Sequence, residues 1–190
     1  MIIHLNGWPG VGKKTIGAIL AQRLGARFVH NHLLYDLPVA ITGHDDPARW
    51  PLYEAIRAAA YDALAQRPPG ERFVMTNALR LNTQRDRDTW ARLVAAATAR
   101  NAPLIPVVLE AEANELVRRL QSPERVGRKL TDPARLRGYF VENSIQKPAV
   151  AELLVLDVTR LSPEEAAARI EAHVAATSPL PAGPRLLKLS

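Results

Sequence analysis

Within the stretch GWPGVGKKT, residues 7–15, three glycines, a lysine and a threonine stand at spacings that suit the holding of an anion. Gly7, Gly10 and Gly12 let the backbone curl so that its amide hydrogens point to a common centre, with Pro9 and Val11 between them. A helix starting just after them adds the positive end of its dipole. Lys13 then extends a charge toward the outer oxygens of a phosphate chain. Lys14 occupies the place where the commonest form of such a loop carries Ser or Thr, and the hydroxyl falls one place later, on Thr15. Lys14 has two readings, a second charge on the anion or a solvated lysine at a helix start.

A second group of chemistry-bearing residues lies in FVHNHLLYD, residues 28–36. His30, Asn31 and His32 admit three readings. They bind a substrate, with a histidine taking the proton of an attacking hydroxyl, since an unperturbed imidazole titrates near pH 6.5. They hold a metal, which would need a third ligand such as His44, Asp45 or Asp46. Or they make structural hydrogen bonds at a strand end. If the strand continues, His30 and His32 share a face; Asp36 is the alternative base. Arg57 is the lone basic residue in YEAIRAAAYDAL, and either faces a cavity or lies on the surface with its stem packed. The stretch SPERVGRKLTD, following a helix that ends near Arg119, is polar and basic.

The elements that must position these groups alternate. Apolar runs at 1–6, 26–30, 72–77, 102–110 and 152–158 read as strands, and 13–24, 47–66, 83–100, 112–121 and 162–176 as helices. Asp132 and Pro133 start a further helix, and Ser162 with Glu165 forms a capping box. Strands that are apolar throughout, separated by helices, imply a parallel sheet covered on both faces. Such sheets bind ligands beyond the carboxyl ends of their strands, where the glycine loop falls. LLVLD, residues 153–157, ends in an acid, but it lies on the last strand, and Asp157 is expected to cap locally.

The 190 residues suit one domain, expected over 1–177, with a lid at about 119–133 and a Pro-rich tail at 178–190. With no cysteine there is no disulfide framework, which fits a cytoplasmic protein. No apolar run approaches the roughly 20 residues of a membrane span, and the N-terminus lacks the pattern of a secretory signal. The net charge of +6 fits a phosphorylated ligand. Aromatic residues make up only 5%, without basic-aromatic alternation, so nucleic acid is not the expected partner. Nothing in the pattern speaks to oligomeric state.

Written as G-x-P-G-x-G-K-x-T, residues 7–15 resemble the phosphate loop of adenylate kinase and its relatives. The order of elements over 1–177 resembles the P-loop small-molecule kinases, a group that includes shikimate and gluconate kinases. The resemblance implies a doubly wound five-stranded α/β sheet in the order 2-3-1-4-5, and transfer of the terminal phosphoryl group of ATP to a small-molecule hydroxyl or phosphate acceptor. Magnesium would be the metal, with Thr15 meeting it or a phosphate. It implies that Arg119, Arg125, Arg128 and Lys129 belong to a basic lid over the moving group, and that Arg80 and Gln84, with Asn77 and Arg57, line the acceptor side beside His30, Asn31 and His32. A stretch similar to NHL follows the second strand in a further branch of P-loop proteins. One departure stands out: where adenylate kinase has an acid at the end of the third strand, this chain has Thr76. That keeps open a regulatory or non-catalytic nucleotide-binding role, or simple ATP hydrolysis. A GTPase-type switch would need N-K-x-D, which is absent.

Overall fold

The apolar run at the N-terminus becomes strand β1 (Ile2–Gly7), every residue of which is buried. Burial on both faces is what a central strand of a covered parallel sheet requires. The computed structural model describes residues 1–121, 140 and 143–177; the expected tail and the lid beyond residue 121, with Arg125, Arg128, Lys129 and the helix start at Asp132, lie outside the described residues. Around β1 the sheet is built from β2 (Arg27–His30), β3 (Phe73–Thr76), β4 (Leu104–Glu110) and β5 (Leu154–Asp157). The order is β2-β3-β1-β4-β5 and all pairs are parallel, as expected.

Alternate residues of each strand serve opposite cores. Ile2, Phe73 and Met75 face one layer with Tyr61, Leu64, Leu93 and Ala96. Ile3, Leu5, Val74, Val107 and Leu109 face the other, with Leu20, Leu24, Ile170 and Val174. The first layer is supplied by α3 (Arg49–Ala65) and α4 (Gln84–Ala99), the second by α1 (Lys13–Leu24), α5 (Ala113–Leu120) and α6 (Pro163–Thr177). Thr83 caps α4 by accepting from the Asp86 amide, and Ser162 and Glu165 exchange backbone-to-side-chain bonds of 2.8 and 3.1 Å at the start of α6. Asp157 accepts from the amide and hydroxyl of Thr159, the local cap expected of it.

One element departs from the sequence reading. The strand does not continue through His32: β2 ends at His30, and His32–Thr42 form a helix, α2, with Pro38 inside it and Gly43 at its end. Leu33, Leu34, Leu37 and Ile41 keep a helical spacing that the proline obscures, since an interior proline removes a donor and usually marks a break. His30 and His32 therefore do not share a strand face, although their ring centres are 6.4 Å apart.

Candidate active site

Parallel pairing brings the carboxyl ends of all five strands to one edge, and most of the candidate residues stand there. Leu5 and His30 both pair with Thr76, and Gly7 pairs with Leu109. The loop leaves β1 at Gly7, whose φ of 151° and whose position admit no side chain: a Cβ there would lie 2.5 Å from the carbonyl oxygen of Leu109. Gly10, at φ 93°, is pressed against Leu120 and the Leu116 carbonyl of α5. The loop is thus moulded between β4 and α5 before any ligand is considered.

Gly12 stands at the N-cap of α1 with no side-chain cap, and the first amide of this turn to find a loop carbonyl is that of Ile16, 3.0 Å from Gly12 O. The amides of Gly10, Gly12, Lys14 and Thr15 have no acceptor among the described residues. Uncapped amides at a helix start favour an anion. Lys13 Nζ donates to the carbonyls of Gly7 (2.6 Å) and Trp8 (2.8 Å), so the ammonium is folded onto the loop rather than extended beyond it. Lys14 and Thr15 are exposed on the first turn of the helix.

Arg119 holds the loop from behind. Its Nε donates to Glu115 (2.6 Å), one terminal nitrogen to Val11 O (3.4 Å), and the other to the carbonyls of Val158 (2.9 Å) and Thr159 (3.1 Å). The guanidinium thus binds protein acceptors on three chain segments, which makes it a staple rather than a free lid group. Glu115, bonded to Arg118 and Arg119, is held down at about 2 by those hydrogen bonds and charges.

Asn31 stands at the N-cap position of α2 without a side-chain cap bond, and its backbone amide donates to Thr76 Oγ1 at 3.3 Å. The residue that departs from the kinase pattern therefore ties β3 to the start of α2. Asn31 Oδ1 accepts from Tyr53 OH (2.7 Å) and from Asn77 Nδ2 (2.9 Å). Behind Asn77 lies His4, 1% exposed, with Nε2 3.0 Å from Asn77 Oδ1. Burial first, and then the charge of Lys13, push the His4 imidazole down to about 4, outweighing the opposing pull of its bond to Asn77. His32 Nδ1 lies 2.8 Å from Asp36 Oδ1 one turn along α2, both side chains being substantially exposed.

The other candidates are placed differently. Arg57 neither lines an open surface nor reaches one: at 1% exposure its guanidinium donates to Glu54, to the Thr89 hydroxyl and to the Arg85 carbonyl, and lies over the Tyr53 ring. A buried arginine with a carboxylate partner is a packing element between α3 and α4, which corrects both sequence readings of it. Arg80 is joined to Asp86 through its backbone amide and Nε. Gln84 is exposed on α4, bonded to Asp88 and Arg87. Among the described residues no cluster of three His, Cys, Asp or Glu side chains could hold a metal, so the reading of His30 and His32 as ligands with His44, Asp45 or Asp46 finds no support.

The sequence reading missed His4, Asn6 and Tyr53. Asn6 is buried and bonds both polar atoms of Leu79 and the Gln146 carbonyl, fixing the chain that leaves β3. The signal was a His and an Asn inside an apolar strand run, where a polar side chain must find a partner.

No family model and no curated protein matches the sequence. Solved structures do share the fold. A gluconokinase from Sinorhizobium meliloti is 21% identical, with 93% of this chain and 96% of that one covered and a TM-score of 0.58. The Acinetobacter baumannii shikimate kinase bound to shikimate is 16% identical over 93% and 94%, with a TM-score of 0.58. A Chloroflexus aurantiacus structure described as a candidate kinase reaches 0.65 at 19% identity over 92% and 96%. The chain therefore has the fold of the P-loop small-molecule kinases, with the five-stranded parallel order and the glycine loop in its expected place. No helix among the described residues is long and apolar enough to cross a membrane.

Proposed function

We propose that this chain is an ATP-dependent phosphotransferase that moves the terminal phosphoryl group to a hydroxyl or phosphate on a small molecule. The observation that carries the reading is the moulded glycine loop, its uncapped amides at the start of α1, set at the same sheet edge as Asn31 and the His32–Asp36 pair. The loop amides and Lys13 hold the phosphates, with Pro9 and Val11 fixing the turn. Lys13 changes partners from the Gly7 and Trp8 carbonyls to phosphate oxygens. His32 takes the proton of the attacking hydroxyl at Nε2, while Asp36 accepts from Nδ1–H and so keeps Nε2 bare. Asn31 hydrogen-bonds the acceptor, and Arg119 positions the loop; Arg125 is expected to cover the phosphates. Positioning and charge carry most of the work in this class of reaction.

The donor set suits phosphates fully and magnesium sparsely. Thr15 offers a hydroxyl, whereas Thr76 stands where related proteins place an acid, so a magnesium ion would rely on phosphate oxygens and water for its other ligands. When bound, the metal would neutralise charge on the phosphates. The same Thr76 favours a second reading, a nucleotide-binding module without transfer.

ATP turnover measured with and without a panel of small alcohols, sugars, acids and nucleotides separates the two. Acceptor-stimulated turnover that disappears in Lys13→Ala supports the kinase. ATP binding without turnover across the panel would favour the regulatory module.

A further inference from the structure

Between the phosphate loop and the expected acceptor side runs a line of polar groups, buried at His4, Asn77 and Tyr53 and half-buried at Asn31. His4 lies on β1, on the face toward α3 and α4, with its ring centre 5.9 Å from that of Trp90. It contacts Asn77, just past β3, which contacts Asn31, just past β2, which contacts Tyr53 on α3. Each carboxamide has a donor end and an acceptor end, and two carboxamides in series must point the same way. The line therefore has two self-consistent directions. In one, His4 Nε2–H donates to Asn77 Oδ1, Asn77 Nδ2 donates to Asn31 Oδ1, and Asn31 Nδ2 is turned away. In the other, every carboxamide is reversed and Asn31 Oδ1 is turned away.

The structure has the first. Asn31 Oδ1 receives two donors, at 2.7 and 2.9 Å, and a carbonyl oxygen has two lone pairs for them. Burial, and after it the charge of Lys13, disfavours an imidazolium at His4, which leaves a neutral ring with one N–H.

We infer that the His4–Asn77–Asn31 relay, closed by Tyr53, locks the Asn31 carboxamide with its oxygen inward and its nitrogen outward. The acceptor side then presents a hydrogen-bond donor at this point and selects molecules with an oxygen acceptor there. His4, Asn77 and Tyr53 are positioning residues, acting through Asn31. The selection rests on the kinase reading of this edge; the locked orientation does not.

Nitrogen-15 NMR of the full chain tests the lock without a substrate. Three results are expected: His4 as the neutral Nε2–H tautomer, an Asn77 carboxamide exchanging slowly with water, and an Asn31 carboxamide exchanging fast. His4→Phe should slacken the Asn77 protection, and His4→Gln, which keeps a donor, should restore it. An Nδ1–H tautomer at His4, or an Asn77 carboxamide exchanging as fast as Asn31, overturns the inference.

Gluconate and shikimate serve as acceptor probes. With either one accepted, Asn31→Asp keeps the inward oxygen and removes the outward donor. The acceptor kcat/KM should fall by about tenfold or more, with the KM for ATP unchanged; an unchanged acceptor kcat/KM refutes the selection. Transfer to neither probe, with the NMR signatures as stated, counts against the kinase reading and leaves the relay standing.

Discussion

Acidification should reveal His4 as a specific weak point. The imidazole is fully buried and held down to about 4 in the fold, against 6.5 when unfolded. Between those values the unfolded chain binds a proton that the folded chain refuses, so stability is complete above about 6.5 and drains as pH falls toward 4. At 1.36 kcal/mol per pH unit the interval is worth about 3 kcal/mol, a large share of the stability of an ordinary domain. Urea unfolding of the wild type and of His4→Gln at pH 7, 6, 5 and 4 isolates the effect. The glutamine keeps an N–H for Asn77 but does not titrate, and every other ionisable group is common to both proteins. The wild type should lose about 3 kcal/mol more than the variant across the range. Parallel pH profiles, or an NMR titration midpoint for His4 above pH 6, would refute the reasoning.

Three further outcomes follow from the site. Lys13→Ala should lower turnover at least about a hundredfold, as expected on removing one preorganised charge, with the fold intact by circular dichroism. Thr15→Val should weaken magnesium-ATP binding by calorimetry, whereas Thr15→Val with Lys14→Ser should not recover it, because the loop places its hydroxyl one residue later; recovery in the double variant would return the role to position 14. Arg57→Leu should leave Glu54 with one partner fewer and cost roughly 3 kcal/mol in urea unfolding while ATP affinity is retained, the signature of a packing residue.

What could be read in the sequence was what periodicity and local chemistry encode. The loop GWPGVGKKT, the alternation of strands and helices and the capping box at Ser162 each depend on residues close together in the chain, and the structure places them as read. Helix α2 was hidden because Pro38 breaks the pattern a reader trusts. Arg57 was misjudged because its partners, Glu54 and Thr89, sit on two helices, and sequence spacing does not show which arginine will meet them. The relay was invisible for a related reason. His4, Asn31 and Asn77 are spread over more than seventy residues, and only the order of the parallel strands makes them neighbours. Strand β3 lies between β2 and β1, so residues just beyond its end join what the other two strands present.

The staple at Arg119 has a consequence for timing. Its guanidinium joins Val11, in the loop after β1, to Val158 and Thr159, between β5 and α6. During synthesis the glycine loop emerges early, while the carbonyls that complete its support emerge some hundred and fifty residues later. A nascent chain therefore carries a loop sequence without a braced loop, and the bracing arrives only as β5 docks. Truncation before residue 158 should leave the motif intact and the loop slack, so β5 acts as the completion signal for the loop that follows β1.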